Sequence, residues 1–308
     1  IQNLTVTGSV NAASEFSVYS GYVAGVVGSA RNAELSNVIS RVNVTADEKV
    51  GNVASVGGLA GAMIDTTVTN CGNEGDVTGV NNLGGLCYEL YSGTMTGCYN
   101  TGRITATGTY VGGLMGYAKQ ATVTNVYNTG DVSTEKTLVG GLIGVMEKSS
   151  LTNAYVSGKV TTAAASGAIG AAVGSADQVS NVYYLGSASA IGDENATAKT
   201  AEELKALAPT LGSSFKENTG CGGYPLLVWQ EARAHQYKDG VCTVCGAKDP
   251  AAPYLLDGVT DAAAEELSAR RSDGRQDLRR EKRHADLQEL LLHHVLRWRC
   301  DVERGAAL

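Results

Sequence analysis

The chain has no histidine before His235 and no H-E-x-x-H motif anywhere. The first absence excludes a Ser-His-Asp arrangement over most of its length, and the second excludes that class of metallopeptidase chemistry. Phenylalanine and tryptophan occur twice each in 308 residues, so no large aromatic core is available. The apolar content is Val, Ala, Leu and Ile, small side chains suited to thin, layered cores. No run of eighteen apolar residues occurs, which excludes a membrane-spanning helix. A formal charge of −7 lacks the basic stripe that nucleic acid requires. Seven cysteines, odd in number and scattered, do not make a disulfide framework. The chain starts at Ile1 without methionine or signal peptide and is expected to be a fragment, so the missing signal carries no information about secretion.

What is abundant is glycine, 39 residues of it, set in a recurring phrase. V-G-G-L-x-G aligns Val23, Val56, Leu83, Val111, Val139 and Ile169, at spacings of 33, 27, 28, 28 and 30 residues. A second phrase, apolar-T-N-x-Y-N-x-G-x-V, trails it and puts asparagine at positions 3, 37, 70, 125, 153 and 181, with Gly97 as the one departure. A period in the high twenties with short β-like phrases indicates a solenoid. ATVTNVYN and its equivalents alternate and are rich in β-branched and aromatic residues, which suits strands. Glycine pairs in every repeat would cost a helix about 1 kcal/mol each but allow a β coil its tight corners.

The fold class that follows is all-β: a parallel β-helix of about seven coils, wound right-handed, with rungs ~4.8 Å apart. Stacked coils turn alignment columns into ladders. The asparagines are expected at an inward, buried corner, bonded to one another. Tyr99, Tyr127, Tyr155 and Tyr183 are expected to stack as four rings. Asp76, Arg103, Asp131 and Lys159 alternate in sign and are expected to pair as charges between rungs. Cys71 and Cys98 share an otherwise small, apolar column on neighbouring coils. Their spacing fits a disulfide, but stacked buried thiols are the expected state.

VGGLMG followed by TNVYNTGDV resembles the GLUG repeat of bacterial surface and secreted proteins. The resemblance covers residues 1 to about 188; the copies at Ala24 and at Ala171-Ala172 depart from the glycine pattern. It implies a β-solenoid outside the cell, in a family of poorly defined biochemical role.

The expected organisation is a solenoid over residues 1–192, a cap over 193–231, a Cys/His module over 232–250 and a tail over 251–308. In the cap, Thr200 and Glu203 form a T-x-x-E capping box opening a short helix that Pro209 follows. GGYPLLVWQ then reads as an apolar strand that pairs with or packs on the last coil, covering its open end. In the next module His235, Cys242 and Cys245 are the candidate metal ligands, because a C-x-x-C turn lets two thiolates reach one zinc ion. Related short modules carry another cysteine just before the histidine. Here that stretch reads EARAH, and Cys221 is the one upstream cysteine near enough to substitute. A degenerate, metal-free knuckle is the competing reading. The tail is Arg- and His-rich with helical patterning. It is either a partner-binding helix or, as its composition favours, out-of-frame text from a GC-rich gene.

Two functional readings remain at this level. One is a noncatalytic, extracellular surface module, an adhesin-like binding face or stiff spacer whose partner is a glycan or a surface protein. The other is a carbohydrate-active β-helix with its active residues in an irregular loop such as 46–55. Asp76 and Asp131 lie two rungs apart, ~9.6 Å, with Arg103 between them, which suits a structural ladder better than a retaining carboxylate pair.

Overall fold

The computed structural model describes residues 1–13, 21–47, 54–189, 191–238, 241–243, 245 and 247–249. The chain divides into two units, of which the first, Ile1–Asp249, holds all the described residues. The expected helical or disordered tail, residues 251–308, lies outside the described residues, and so does most of the 46–55 loop of the first unit.

The first unit is a parallel β-solenoid. Its coils contribute to two six-stranded parallel sheets and to one longer sheet built from the arm of each coil that follows. Register reproduces the repeat residue for residue: Val23 pairs with Val56, Val56 with Leu83, Leu83 with Val111, Val111 with Val139, and Val139 with Ile169. The glycine pairs are needed for close approach. A Cβ on Gly112 would lie 1.9 Å from the Met115 carbonyl, where the chain folds back on itself. One on Gly113 would lie 2.0 Å from the Gly141 carbonyl of the next coil. No side chain fits either place between stacked coils, and the departures from the glycine pair, Ala24 and Ala171, fall in the first and last copies.

Inside the coils Leu59, Leu86, Leu114 and Leu142 stack with Met63, Leu90, Ala118 and Met146 in one thin core, and the Val23–Val139 column forms a second. Between them runs a polar ladder. Asn73, Asn100 and Asn128 are fully buried. Asn73 Nδ2 donates to Asn100 Oδ1, and Asn100 Nδ2 to Asn128 Oδ1, each at 2.8 Å, while every one of the three also donates to the carbonyl two residues on. Asn128 Nδ2 ends the ladder on the Gly141 carbonyl.

The expected asparagine column therefore has a different role. Asn37, Asn70, Asn125, Asn153 and Asn181 take φ between 54° and 55° at an outward corner, where their side chains are exposed or half-buried. They bond along the outside, Asn153 Nδ2 to Asn125 Oδ1 at 3.1 Å and Asn181 Nδ2 to Asn153 Oδ1 at 2.7 Å. Asparagine is selected there because it enters the left-handed region at little cost. The inward ladder belongs to the other asparagine of the phrase, the one after tyrosine.

The alternating column is likewise not paired by charge. Asp76 Oδ1 accepts the backbone N–H of Arg103 at 2.8 Å, and Asp131 Oδ1 that of Lys159 at 2.9 Å. The acidic side chain serves the next rung's backbone, and the basic side chains point to solvent. Cys71 and Cys98 are buried free thiols, with the Cys71 N–H 3.4 Å from Cys98 Sγ.

Thr197–Lys199 adds a last parallel rung to Gln178–Leu185. The capping box forms: Thr200 Oγ1 accepts from Glu203 N at 3.2 Å, and Glu203 Oε2 from Thr200 N at 2.9 Å. Beyond it the chain differs from expectation. Pro209 lies inside a second short helix, Ala208–Leu211, and Leu226–Leu227 pairs antiparallel with Phe215–Lys216 instead of with a coil. The segment runs along the side of the solenoid as a strap. Its Leu204, Leu207, Leu211, Phe215 and Leu227 cover Tyr99, Tyr127 and Tyr155 in one buried cluster. These rings stack at 5.4 and 5.1 Å. Tyr183 packs against the cluster without continuing the stack: its hydroxyl donates to Asn181 and its ring faces the Lys199 ammonium at 5.9 Å. Outward tyrosines need an apolar cover, and this need draws the strap to the side wall.

Candidate metal centre

The strap ends in a latch. Glu74, on the solenoid, accepts from Arg41 Nε at 2.9 Å and pairs with Arg233 Nη2 at 2.8 Å through the same oxygen, while its other oxygen accepts the Tyr99 hydroxyl at 2.7 Å. Burial pushes the Glu74 carboxyl up, but the hydrogen bonds from Tyr99 and Arg41 and the charge of Arg233 outweigh it and hold the group below its usual range.

Arg233 also fixes the position of Cys221. The Cys221 N–H donates to the Arg233 carbonyl at 2.8 Å, and Asn218 Nδ2 bonds the Cys221 carbonyl at 3.2 Å. This holds Cys221 beside the stretch that leads into His235. Tyr237–Lys238 then pairs antiparallel with Val241–Cys242, and the Cys242 N–H donates to Ala247 at 2.7 Å, closing the C-x-x-C turn.

The result is one cluster. The ligand atoms of Cys221, His235, Cys242 and Cys245 all lie within 4.8 Å of one another and could hold a metal ion. Cys221 Sγ is 3.7 Å from Cys242 Sγ, and Cys245 Sγ is 3.4 Å from His235 Nδ1. Cys242 is buried, Cys221 and His235 are half-buried, and Cys245 is exposed. Burial, then hydrogen bonds to Cys245 and Cys242, pushes the Cys221 thiol up to about 12. A bond from the Ala247 backbone, followed by one from Cys221, draws Cys245 down. A hydrogen bond to Cys242 raises His235. The sulfurs thus already compete for protons, as ligands crowded around one point do.

The three expected ligands come together, and the fourth is Cys221. No cysteine stands immediately before His235, where the chain reads EARAH, so the hairpin Phe215–Leu227 returns one from further upstream. The signal available in the sequence was the position of Cys221 alone; the Arg233 contact that places it is tertiary.

With the coil geometry established, residues 107–133 match the family model described as the GLUG motif. Over that stretch the chain is similar to the GLUG motif. The matched stretch is one coil, from the turn before Val111 through Val132, and the coils stacked on either side repeat it in register. The comparison with curated proteins found no match. Among the described residues no helix is long and apolar enough to cross a membrane.

Proposed function

We propose that this chain is a noncatalytic, extracellular module of a bacterial surface protein, in which a GLUG solenoid serves as a binding face or stiff spacer and zinc closes its C-terminal module. The observation that supports a noncatalytic role is the engagement of Asp76 and Asp131 by backbone N–H groups of the next rung. Carboxylates used in this way are structural acceptors, and the solenoid sequence holds no histidine to act beside them. The extracellular placement rests on the GLUG likeness.

Zinc is the proposed ion because three thiols and an imidazole form a Cys₃His donor set. A tetrahedral ion with sulfur at ~2.3 Å and nitrogen at ~2.0 Å needs ligand separations of about 3.8 Å for S···S and 3.5 Å for S···N. The Cys221–Cys242 and Cys245–His235 distances, 3.7 and 3.4 Å, suit both.

One observation favours the enzyme reading. Glu89 and Glu147 share an outer sheet, and burial raises the first carboxyl while the Tyr117 hydroxyl and Lys119 lower the second. Glu147, however, is already engaged by Lys119 at 3.0 Å and by Tyr117 at 2.5 Å. The test is a screen of purified protein against pectins, alginates, glycosaminoglycans and mucin. No depolymerisation is expected. Turnover that survives purification and disappears in Glu89→Gln overturns the noncatalytic reading.

A further inference from the structure

Position 88 breaks the repeat at a place where the architecture asks for glycine. Its column reads Gly28, Gly61, Tyr88, Gly116, Gly144 and Gly174. A Cβ on Gly61 would lie 2.7 Å from the Ser55 carbonyl, on Gly116 2.4 Å from that of Tyr110, and on Gly174 2.4 Å from that of Gly144. Local rules broken against the fold's own preference mark places selected for something other than folding.

Tyr88 does not stand alone. Tyr110 of the next coil meets it edge to face at 6.4 Å, and Tyr117 meets Tyr110 in the same way at 6.1 Å. All three are half-buried, so each shows part of its ring to solvent. Glu89 pairs in register with Tyr117, and Lys119 lies two residues along the same strand. The strap does not cover this face; it covers the Tyr99 column instead.

We propose that Tyr88, Tyr110 and Tyr117, bordered by Glu89 and Lys119, form a subsite for a neutral saccharide chain lying along the solenoid axis. This rests on the reading of the solenoid as a binding face and gives that face a location and a ligand class. A pyranose presents an apolar C–H surface that packs on aromatic rings, and hydroxyls that the Glu89 carboxylate and the Lys119 ammonium, beyond its pair with Glu147, can bond. A few convergent polar groups around an apolar floor are the usual composition of such a site. A protein partner fits less well. In register around the three rings stand Ala62, Ile64, Tyr91, Val145 and Glu147, of which Tyr91 alone is a further ring, short of the anchor set that an interface of ~800 Å² per side requires. A polyanion is opposed by Glu89 and by the net charge of −7.

The experiment is titration calorimetry of the whole chain with cellohexaose, laminarihexaose, mannohexaose and chitohexaose. At least one is expected to bind. Tyr88→Gly restores the repeat and should leave Tm unchanged or higher while weakening that binding at least tenfold; Tyr117→Ala should weaken it comparably. Tyr22→Ala, on the same face two coils away, should not. No binding to any of the four probes overturns the proposal. Binding that survives both Tyr88→Gly and Tyr117→Ala also overturns it, and leaves the binding-face reading to be met elsewhere on the solenoid. Tyr88-dependent binding accompanied by cleavage of the probe keeps the subsite and overturns the noncatalytic reading instead.

Discussion

The indole N–H of Trp229 donates to the carbonyl of Gly97 at 3.0 Å. Gly97 is the one position in the outer asparagine column without a side chain, and it keeps the column's left-handed backbone at φ 66°. The departure in the repeat sits where the strap docks: a Cβ on Gly97 would lie 2.6 Å from Asn70 Oδ1 and 3.6 Å from the indole nitrogen, leaving a longer side chain no room between them.

Trp229→Ala should therefore loosen the strap without unwinding the coils. Trp229 is half-buried and tilted over Tyr99 at 5.8 Å, so a loss of about 2 kcal/mol is expected, within the range of ordinary truncations. Limited proteolysis should then cut within 201–233 faster than in the wild-type chain. Unchanged protection of that segment would argue that the tryptophan is ornamental.

The two asparagine ladders should differ in what they need. Asn100→Ala leaves amide and carbonyl groups stranded at full burial and should cost ~1–3 kcal/mol. Asn125→Ala meets mainly the left-handed backbone, at ~1–2 kcal/mol. Asn125→Gly should recover that cost, as Gly97 does naturally, whereas Asn100→Gly should recover nothing. Thermal melts of the four variants decide this, and equal rescue by glycine at both sites would contradict the assignment.

Asp193 caps the glycine corner of the last full coil. In each coil the two N–H groups at the glycine corner reach a carbonyl of the next coil, as Leu114 and Met115 reach Leu142. After the last coil, Asp193 Oδ2 takes that place, accepting from Ala172 at 2.8 Å and Val173 at 2.7 Å. Asp193→Ala should cost ~1–3 kcal/mol by leaving both donors unmet. Hydrogen exchange should accelerate at residues 172 and 173 first. Exchange unchanged there would show that the carboxylate is dispensable.

Acid should release the latch. Glu74 is held below its usual range in the folded chain, so the stability it contributes is complete above the ordinary glutamate value. That stability is lost as the pH falls through the depressed one. Strap proteolysis measured from neutral to acid pH should rise over that interval. Glu74→Gln should flatten the profile, with the strap loosened at every pH; an acid response that persists in this variant would assign it to another carboxylate.

Metal removal tests the C-terminal module. Purified chain is expected to carry close to one equivalent of zinc, and Cys221→Ser or Cys242→Ser should abolish its retention. Cys87→Ser, buried in the solenoid, should leave the zinc in place. Protein grown in zinc-replete medium that contains none retires the site.

The sequence by itself determined the repeat, its register and the β-solenoid. A stacked coil copies each residue onto the same residue one period away, so the register of Val56, Leu83 and Val111 could be read from their spacing. Columns, however, carry no direction. Which asparagine faced inward depended on where the chain bends, and that follows from the left-handed backbone at Asn125 and its equivalents. Asp76 and Arg103 looked like a charge pair because sequence shows side chains only, and the partner Asp76 chose was a backbone N–H. The strap was legible as a helix and a strand but not as a side wall. Its position is set by apolar tyrosines that need covering, and by Trp229 and Arg233 reaching Gly97 and Glu74 far away in the chain. Cys221 joined His235, Cys242 and Cys245 for the same reason. Motifs record neighbours along the chain, while the fourth ligand arrives through a hairpin whose course only the folded packing decides.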